Sequence, residues 1–433
     1  VTIQFVENMT ATGMIKFFAE RTKELQFFKR SGFRRLFRRM GPAWIISAVA
    51  CGPATMASVS IAGAQYGYRL LWVVVLSALL AFVVQFMAAK AGLIGGKGII
   101  ALVEESWGST WAWILMIDAL LATWLAAAVL MKALVDTTGL VTGVFTPWWS
   151  LVYAILIFLL VGVGGYRWVE TVCKTLVAVV VVCFVVTVIT VKPDLNEMII
   201  GFIPTFIGGP KAALMMAGIT GGAVHITIIA MHTYNVNARD WGPDDMGLAW
   251  TDTFLSMFIA FGIYSVSIFI AAAAVLHPRG IEVRTAFDLA RPLKPVLGVY
   301  AHGIFLGGFW AAVFSTITPT YLAAGYFIAD KMKWAISVRD PRFKGVVLLG
   351  CLISLVGPLV KGSFLILLVV MLALGLCGTP LVVLILLFLL NRKGWAKAHR
   401  NGWVLNLLGG AALLITTLLA MRFVLTKAGI WSG

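Results

Sequence analysis

Stretches of about twenty apolar residues recur along almost the whole of this chain, a length that matches the hydrocarbon thickness of a bilayer. The first of them is interrupted in its middle by Cys51-Gly52-Pro53-Ala54-Thr55. Pro53 has no N–H to give a helix and its ring clashes with the preceding turn, while Gly52 adds backbone freedom at the same point. Hydrocarbon does not tolerate unpaired peptide groups, so such a break must face protein, a cavity or a ligand.

Composition agrees with the pattern. A soluble globular protein is about one quarter charged, whereas this chain of 433 residues is 12% charged and 61% hydrophobic. The expected fold class is therefore an all-α polytopic membrane protein in one integral domain. Eleven runs read as spans, near 42–62, 69–89, 110–132, 148–166, 169–191, 211–233, 250–276, 299–328, 343–359, 364–390 and 402–425. The first is longer than the apolar core of a cleavable leader. The seventh and eighth are long enough to tilt or protrude. Only Gly357-Pro358 and Lys361-Gly362 part the ninth from the tenth.

The net charge of +16 would fit a nucleic-acid partner in a soluble chain, but here the basic residues collect in loops. Lys29, Arg30, Arg34, Arg35, Arg38 and Arg39 precede the first span. Lys331, Lys333, Arg339, Arg342 and Lys344 follow the eighth, and Arg392, Lys393, Lys397 and Arg400 follow the tenth. With eleven spans these three clusters share one side, which makes the N-terminus cytoplasmic and places the chain in the inner, or plasma, membrane. The connection at 277–298, with Arg279, Arg284, Arg291 and Lys294, is the exception, diluted by Glu282 and Asp288. The stretch before residue 41, with Phe27, Phe28, Phe33 and Phe37, reads as a basic flank or as a segment lying along the inner surface. Cys51, Cys173, Cys183, Cys351 and Cys377 form no CxxC and read as small packing residues.

The sixth span holds the second informative run, from Ala217 to His232. Gly221-Gly222 weakens that helix in mid-membrane, as Gly52-Pro53 weakens the first. Two breaks five spans apart suggest two inverted five-helix repeats whose first helices are both discontinuous, plus an eleventh helix. The corresponding division is a basic segment at 1–40, repeats at 41–200 and 201–392, and the last helix and tail at 393–433. His225 and His232 are seven residues apart, close to one helix face. An ionisable group inside a span is a functional candidate, although a neutral histidine bonded to backbone serves packing equally well. Asp118 lies in the third span, while Glu170 and Asp252 are expected near span ends, within reach of water. Three separated carboxylates do not make a hard-cation site. No nucleotide loop or metal-hydrolase motif is present, so no enzyme is expected and no cofactor is implied.

The run Gly63-Ala64-Gln65-Tyr66-Gly67-Tyr68-Arg69-Leu70-Leu71-Trp72, following Gly41-Pro42, carries a resemblance. With Ala89-Lys90-Ala91-Gly92, Gly96-Lys97, Ser315-Thr316-Ile317-Thr318, Thr320-Tyr321 and Asn391-Arg392-Lys393 it resembles the NRAMP family of proton-coupled divalent metal transporters, over roughly 41–425. The resemblance implies the LeuT-type fold. It also implies where the chain departs from its family. The family's Asp-Pro-Gly-Asn at the first break reads Gly52, Pro53, Ala54 and Thr55. Its Met-Pro-His reads His225-Ile226-Thr227, and its second histidine is kept as His232. The acidic pair of the third helix falls on Trp124 and Ala127, and the glutamine of the tenth falls near Ala373.

These departures argue against a metal at the site, since one imidazole and one hydroxyl do not replace a carboxylate, an amide and a thioether. Freed N–H groups at the break favour an anion instead. The expected function is thus a secondary transporter of a small organic solute, in its sharpest form an aromatic carboxylate moved with protons. The expected site is Gly52, Pro53, Ala54, Thr55, Gly221, Gly222 and His225, with Trp124 as a flat apolar wall. His232, His225 and Asp118 are the proton-coupling candidates. The alternatives are proton-coupled manganese or iron transport, and a sensor or channel on the same scaffold. Beyond solute, protons and the lipid bilayer no partner is indicated, neither nucleic acid nor an oligomer.

Overall fold

The computed structural model describes residues 41–163, 166–396 and 399–431, without the side chains of 162–174 and 176. The basic segment 1–40 and the side chains of Glu170 and Cys173 lie outside the described set. Among the described residues, eight helices are long and apolar enough to cross a bilayer, and Trp149–Val161 and Val177–Val191 are shorter apolar helices. One of the eight stretches is two helices, Pro53–Tyr66 and Leu71–Gly95, separated by the 3-10 turn Gly67–Leu70. Counted so, the eleven expected spans are all found. The face of the bundle at which the first span begins is called the near face below, and the opposite one the far face.

The first span is split into Pro42–Ala50 and Pro53–Tyr66, at the expected place. The sixth is also split, into Pro210–Val224 and Ile226–Asn237. Its break lies at His225, not at Gly221-Gly222 as the sequence predicts. Both glycines stay helical because their missing side chains are used for packing. A Cβ on Gly221 would strike the Leu372 carbonyl, and one on Gly222 would lie 2.5 Å from Thr55 Oγ1. A third interruption was not expected. The tenth span is Phe364–Cys377 and Thr379–Asn391, parted at Gly378, where Pro380 has no N–H to continue the ladder.

The third span, Ser109–Thr142, runs ten residues beyond its expected end at 132. At Lys132, where the expected span ends, the ammonium lies 3.1 Å from Asp136 on the next turn. Pairing at that spacing lets the helix carry both charges onward. The seventh span starts at Met246, passes through a π-helical turn at Phe254–Ala260 and ends at Val275.

Hydrogen bonds sort the spans into two groups. In one, Ser47 Oγ donates to the Ser256 carbonyl at 2.8 Å, tying the first span to the π turn of the seventh. Tyr264 OH donates to the Gly52 carbonyl at 3.1 Å, and His232 Nδ1 lies 3.0 Å from Gln85 Oε1 of the second span. In the other, Trp310 Nε1 of the eighth span reaches Thr138 Oγ1 of the third and Tyr153 OH of the fourth, at 3.1 and 3.2 Å. Tyr321 OH and Ser354 Oγ join the eighth and ninth at 2.8 Å. A clasp at the near face joins the groups. Tyr234 OH of the sixth span donates to Asp330 of the eighth at 2.7 Å, and Asp330 also accepts from Ala101 N. Lys331 pairs with Glu104 at 3.0 Å in the same place.

Asp252 corrects an expectation. It does not reach water: it is 0% exposed, and its carboxylate accepts from Gly41 N at 3.2 Å and Ala43 N at 2.9 Å. A carboxylate on the first amides of a helix answers both the unpaired N–H groups and the positive end of the dipole. Asp252→Ala is expected to destabilise the fold by about 2–3 kcal/mol, since hydrogen bonds to a charged group are lost and two buried donors are left unpaired. Thermal unfolding in detergent checks this. An unchanged midpoint would show that the cap does not hold the first half-helix.

Candidate functional site

The two main breaks face each other. At the first, Cys51 N donates to Ser47 O and Gly52 N to Val49 O, which closes the near half. The far half resumes at Pro53, and its first intrahelical bond runs from Met56 N to Gly52 O. The amides of Ala54 and Thr55 therefore have no intrahelical acceptor. At the second break, His225 has φ −63° and ψ 135°, so the chain is extended for one residue. Its carbonyl accepts from Ile228 N and Ile229 N, and its ring Nδ1 accepts from Thr227 N at 3.2 Å. The imidazole thus acts as the N-cap of the second half-helix. The carbonyl of Val224, freed by the break, accepts from Thr379 Oγ1 at 2.5 Å. The break in the tenth span places that hydroxyl, so one interruption satisfies another.

A cavity lies between these breaks. Gly52, Pro53, Ala54 and Thr55 line it from the first span, and Gly222, His225 and Thr227 from the sixth. Ala126 and Leu130 of the third span, Thr316 and Thr320 of the eighth, and Met371 and Leu372 of the tenth complete much of the wall. The space open to the centres of water-sized molecules is about 50 Å³. A single water needs about 10–15 Å³ of such space, so the cavity holds a few waters or one small cargo.

Three of the four lining hydroxyls have a common polarity. Thr316 donates its hydrogen to Ala312 O at 2.7 Å, and Thr320 donates to Thr316 O at 2.8 Å. Thr123 donates to Ala119 O at 2.6 Å, so in its 3.0 Å contact with Thr227 the hydrogen comes from Thr227. The oxygens of Thr227, Thr316 and Thr320 have thus spent their hydrogens elsewhere and offer lone pairs. The thioether of Met371 is a further soft, weak acceptor. The donors left on lining residues are the amides of Ala54 and Thr55 and the Thr55 hydroxyl. His225 adds little, because with Nδ1 accepting, the neutral ring carries its proton on Nε2. That nitrogen is buried without a hydrogen-bond partner and is packed against Gly375, with the Met371 backbone facing the ring.

Other sequence-selected residues fall elsewhere. Trp124 is not in the wall. It packs with Leu120, Ala324 and Val346, and its Nε1 lies 3.9 Å from where a Gly350 Cβ would stand. Third-span residues facing the cavity are Ala126 and Leu130, because Trp124 is two and six residues from them and so on another side of the helix. Gly221 faces the tenth span rather than the cavity. His232 is 1% exposed and lies beside Gln85, two turns toward the near face. Asp118 also lies toward the near face, half-buried against Gly378 and the side chain of Ile226. It thus stands where the second halves of the sixth and tenth spans both begin. Among the described residues no cluster of three or more His, Cys, Asp or Glu is placed to hold a metal ion. Sequence reasoning missed Met371 and the hydroxyl role of Thr316 and Thr320. Two threonines one turn apart in an apolar span are the signal that could have found the latter.

Solved structures share this architecture. The manganese transporter of Eremococcus coleocola superposes with a TM-score of 0.70 over 92% of this chain and 89% of its own, at 19% identity. A nucleobase-cation-symport-1 family transporter superposes with a TM-score of 0.60 over 90% of this chain and 93% of its own, at 16% identity. The fold is therefore the LeuT type. In sequence, the divalent metal cation transporter MntH of Deinococcus radiodurans is 29% identical over 63% of this chain and 64% of its own length. The chain thus spans a little under two thirds of that relative. The MntH of Bradyrhizobium diazoefficiens is 26% identical over 70% of this chain and 71% of its own. The family profile described as Natural resistance-associated macrophage protein-like matches residues 43–426, nearly the whole described bundle, and the chain belongs to this Nramp family of multi-pass membrane transporters.

Proposed function

We propose that this protein is a secondary transporter of the plasma membrane, near face cytoplasmic, which carries a small cation through the cavity between its first and sixth spans. The observation that carries the reading is the shared polarity of Thr227, Thr316 and Thr320, whose oxygens offer only lone pairs to the cavity. The MntH relatives are divalent metal cation transporters by name, which makes a divalent cation the first choice of cargo. The ligating groups on offer here are hydroxyl oxygens and the Met371 thioether, none of them charged. Such a set holds a divalent ion weakly and leaves part of its water shell in place.

The aromatic carboxylate expected from the sequence loses its support. Its flat wall, Trp124, lies outside the cavity, and the acceptor-rich lining opposes a carboxylate. A small organic solute remains the second reading, in a different form. The free amides of Ala54 and Thr55 beside threonine oxygens match a solute with both an acceptor and a donor group.

Proton coupling, if the cargo moves uphill, is assigned to Asp118 rather than to His232. Asp118 is half-buried at the start of two half-helices, on the side of the cavity toward the near face. His232 is enclosed beside Gln85.

Two outcomes are expected in proteoliposomes. Thr316→Val and Thr320→Val keep the side-chain shape and remove an acceptor, and each should weaken manganese uptake about tenfold in apparent affinity, about 1.4 kcal/mol. Manganese uptake absent from the wild type, together with thermal stabilisation by small amino or hydroxy compounds, would replace the cation reading with the organic one. Asp118→Asn should abolish stimulation by a pH gradient while leaving cargo exchange intact, and His232→Ala should retain that stimulation. The reverse pattern would move the proton site to His232.

A further inference from the structure

A second cavity lies at the far face, where the sixth, tenth and eleventh spans meet, with about 220 Å³ open to water-sized molecules. Two lysines from different spans line it, Lys211 at the start of the sixth and Lys427 at the end of the eleventh. Both are exposed, and neither is in an ion pair among the described residues. The carboxylate within electrostatic reach of Lys211 is Glu282, which is already engaged by Arg284 at 2.7 Å. A third cation stands one turn behind Lys427. Arg422 is 6% exposed, and its described contacts are Met216 Sδ, the Ile207 carbonyl and the Phe206 ring, none of them an acid.

The rest of the lining is apolar. Leu214, Val370 and Phe423 form a wall that continues from the lysines toward the bilayer centre. The groove borders an outward face of the tenth span, where Ile366 and Leu374, one turn to either side of Val370, are exposed. A site open to hydrocarbon along one side, with two ammonium groups at the headgroup level, has the complementarity of a lipid whose headgroup is negative. Water-soluble anions match only its rim.

We propose that this groove binds an anionic phospholipid, with the phosphate between Lys211 and Lys427 and an acyl chain along Leu214, Val370 and Phe423. Basic side chains near an anionic headgroup act additively, so removing both lysines should cost about tenfold or more in lipid retention. The test is native mass spectrometry of the purified full chain with added phosphatidylglycerol or phosphatidylcholine. The wild type should retain phosphatidylglycerol about tenfold better than phosphatidylcholine, and equimolar inorganic phosphate should not displace it. K211Q/K427Q should lose the preference. Val370→Trp, which fills the apolar wall and leaves both charges, should lose it too, and it decides the question if the double variant is unstable. Equal retention of the two lipids by the wild type, survival of the preference in either folded variant, or displacement by phosphate would each overturn the proposal.

Discussion

The structure depends on one constraint: in hydrocarbon, every backbone N–H and C=O freed by a helix break needs a partner inside the protein. Each interruption here is answered by a named group. The Gly52 carbonyl takes the Tyr264 hydroxyl, and the Val224 carbonyl takes that of Thr379. The amide of Thr227 takes the His225 ring, and the amides at the start of the first span take Asp252. These partners come from other spans in all but one case. The breaks can exist only once the seventh and tenth spans are packed against the first and sixth. The amides left without an intrahelical acceptor, those of Ala54 and Thr55, belong to residues that line the cavity.

The same hydrogen bonds divide the bundle mechanically. They tie the first span to the seventh and the second to the sixth, two pairs that pack on each other, and they tie the third, fourth and ninth spans to the eighth. The cavity lies at the seam, with walls from both groups. Hydrogen bonds that cross it among the described residues include that of Thr227 with Thr123 and the near-face clasp of Tyr234 with Asp330. Passage toward the near face requires the clasp to open, while the bonds inside each group can persist. For the transport proposed above, a rigid-body shift at the seam would suffice, with no unfolding of a span.

The chemistry of the cavity follows from where the threonine hydrogens go. A hydroxyl in a helix commonly donates to the carbonyl one turn back, and Thr316, Thr320 and Thr123 all do so. That local habit turns the oxygens into acceptors and makes the lining favour positive charge without containing any negative charge. On the cation reading proposed above, these acceptors stand in part for the carboxylate that the family resemblance places at the first break. The imidazole that replaces the family's thioether is meanwhile used as a helix cap.

Much of this protein is legible in its letters. The eleven apolar runs, the break at Gly52-Pro53 and the five-span spacing follow from hydrophobic length and from proline's missing N–H, properties that act locally. Membership of the Nramp family was readable from the run at 63–72. What the letters misplaced depends on neighbours distant in sequence. The sixth span breaks at His225 and not at Gly221-Gly222, because a glycine pair packed against Leu372 and Thr55 is worth more as contact than as a hinge. Asp252 looked solvated because it lies near a span end, yet tertiary packing sets two backbone amides against it. Trp124 and Ala126 are two residues apart, and only the packing of the third span against the eighth and ninth decides which of them faces the cavity. Local chemistry determined where the helix could fail. The tertiary structure decided where it does, because a failed helix is stable only where another span supplies the missing hydrogen bond.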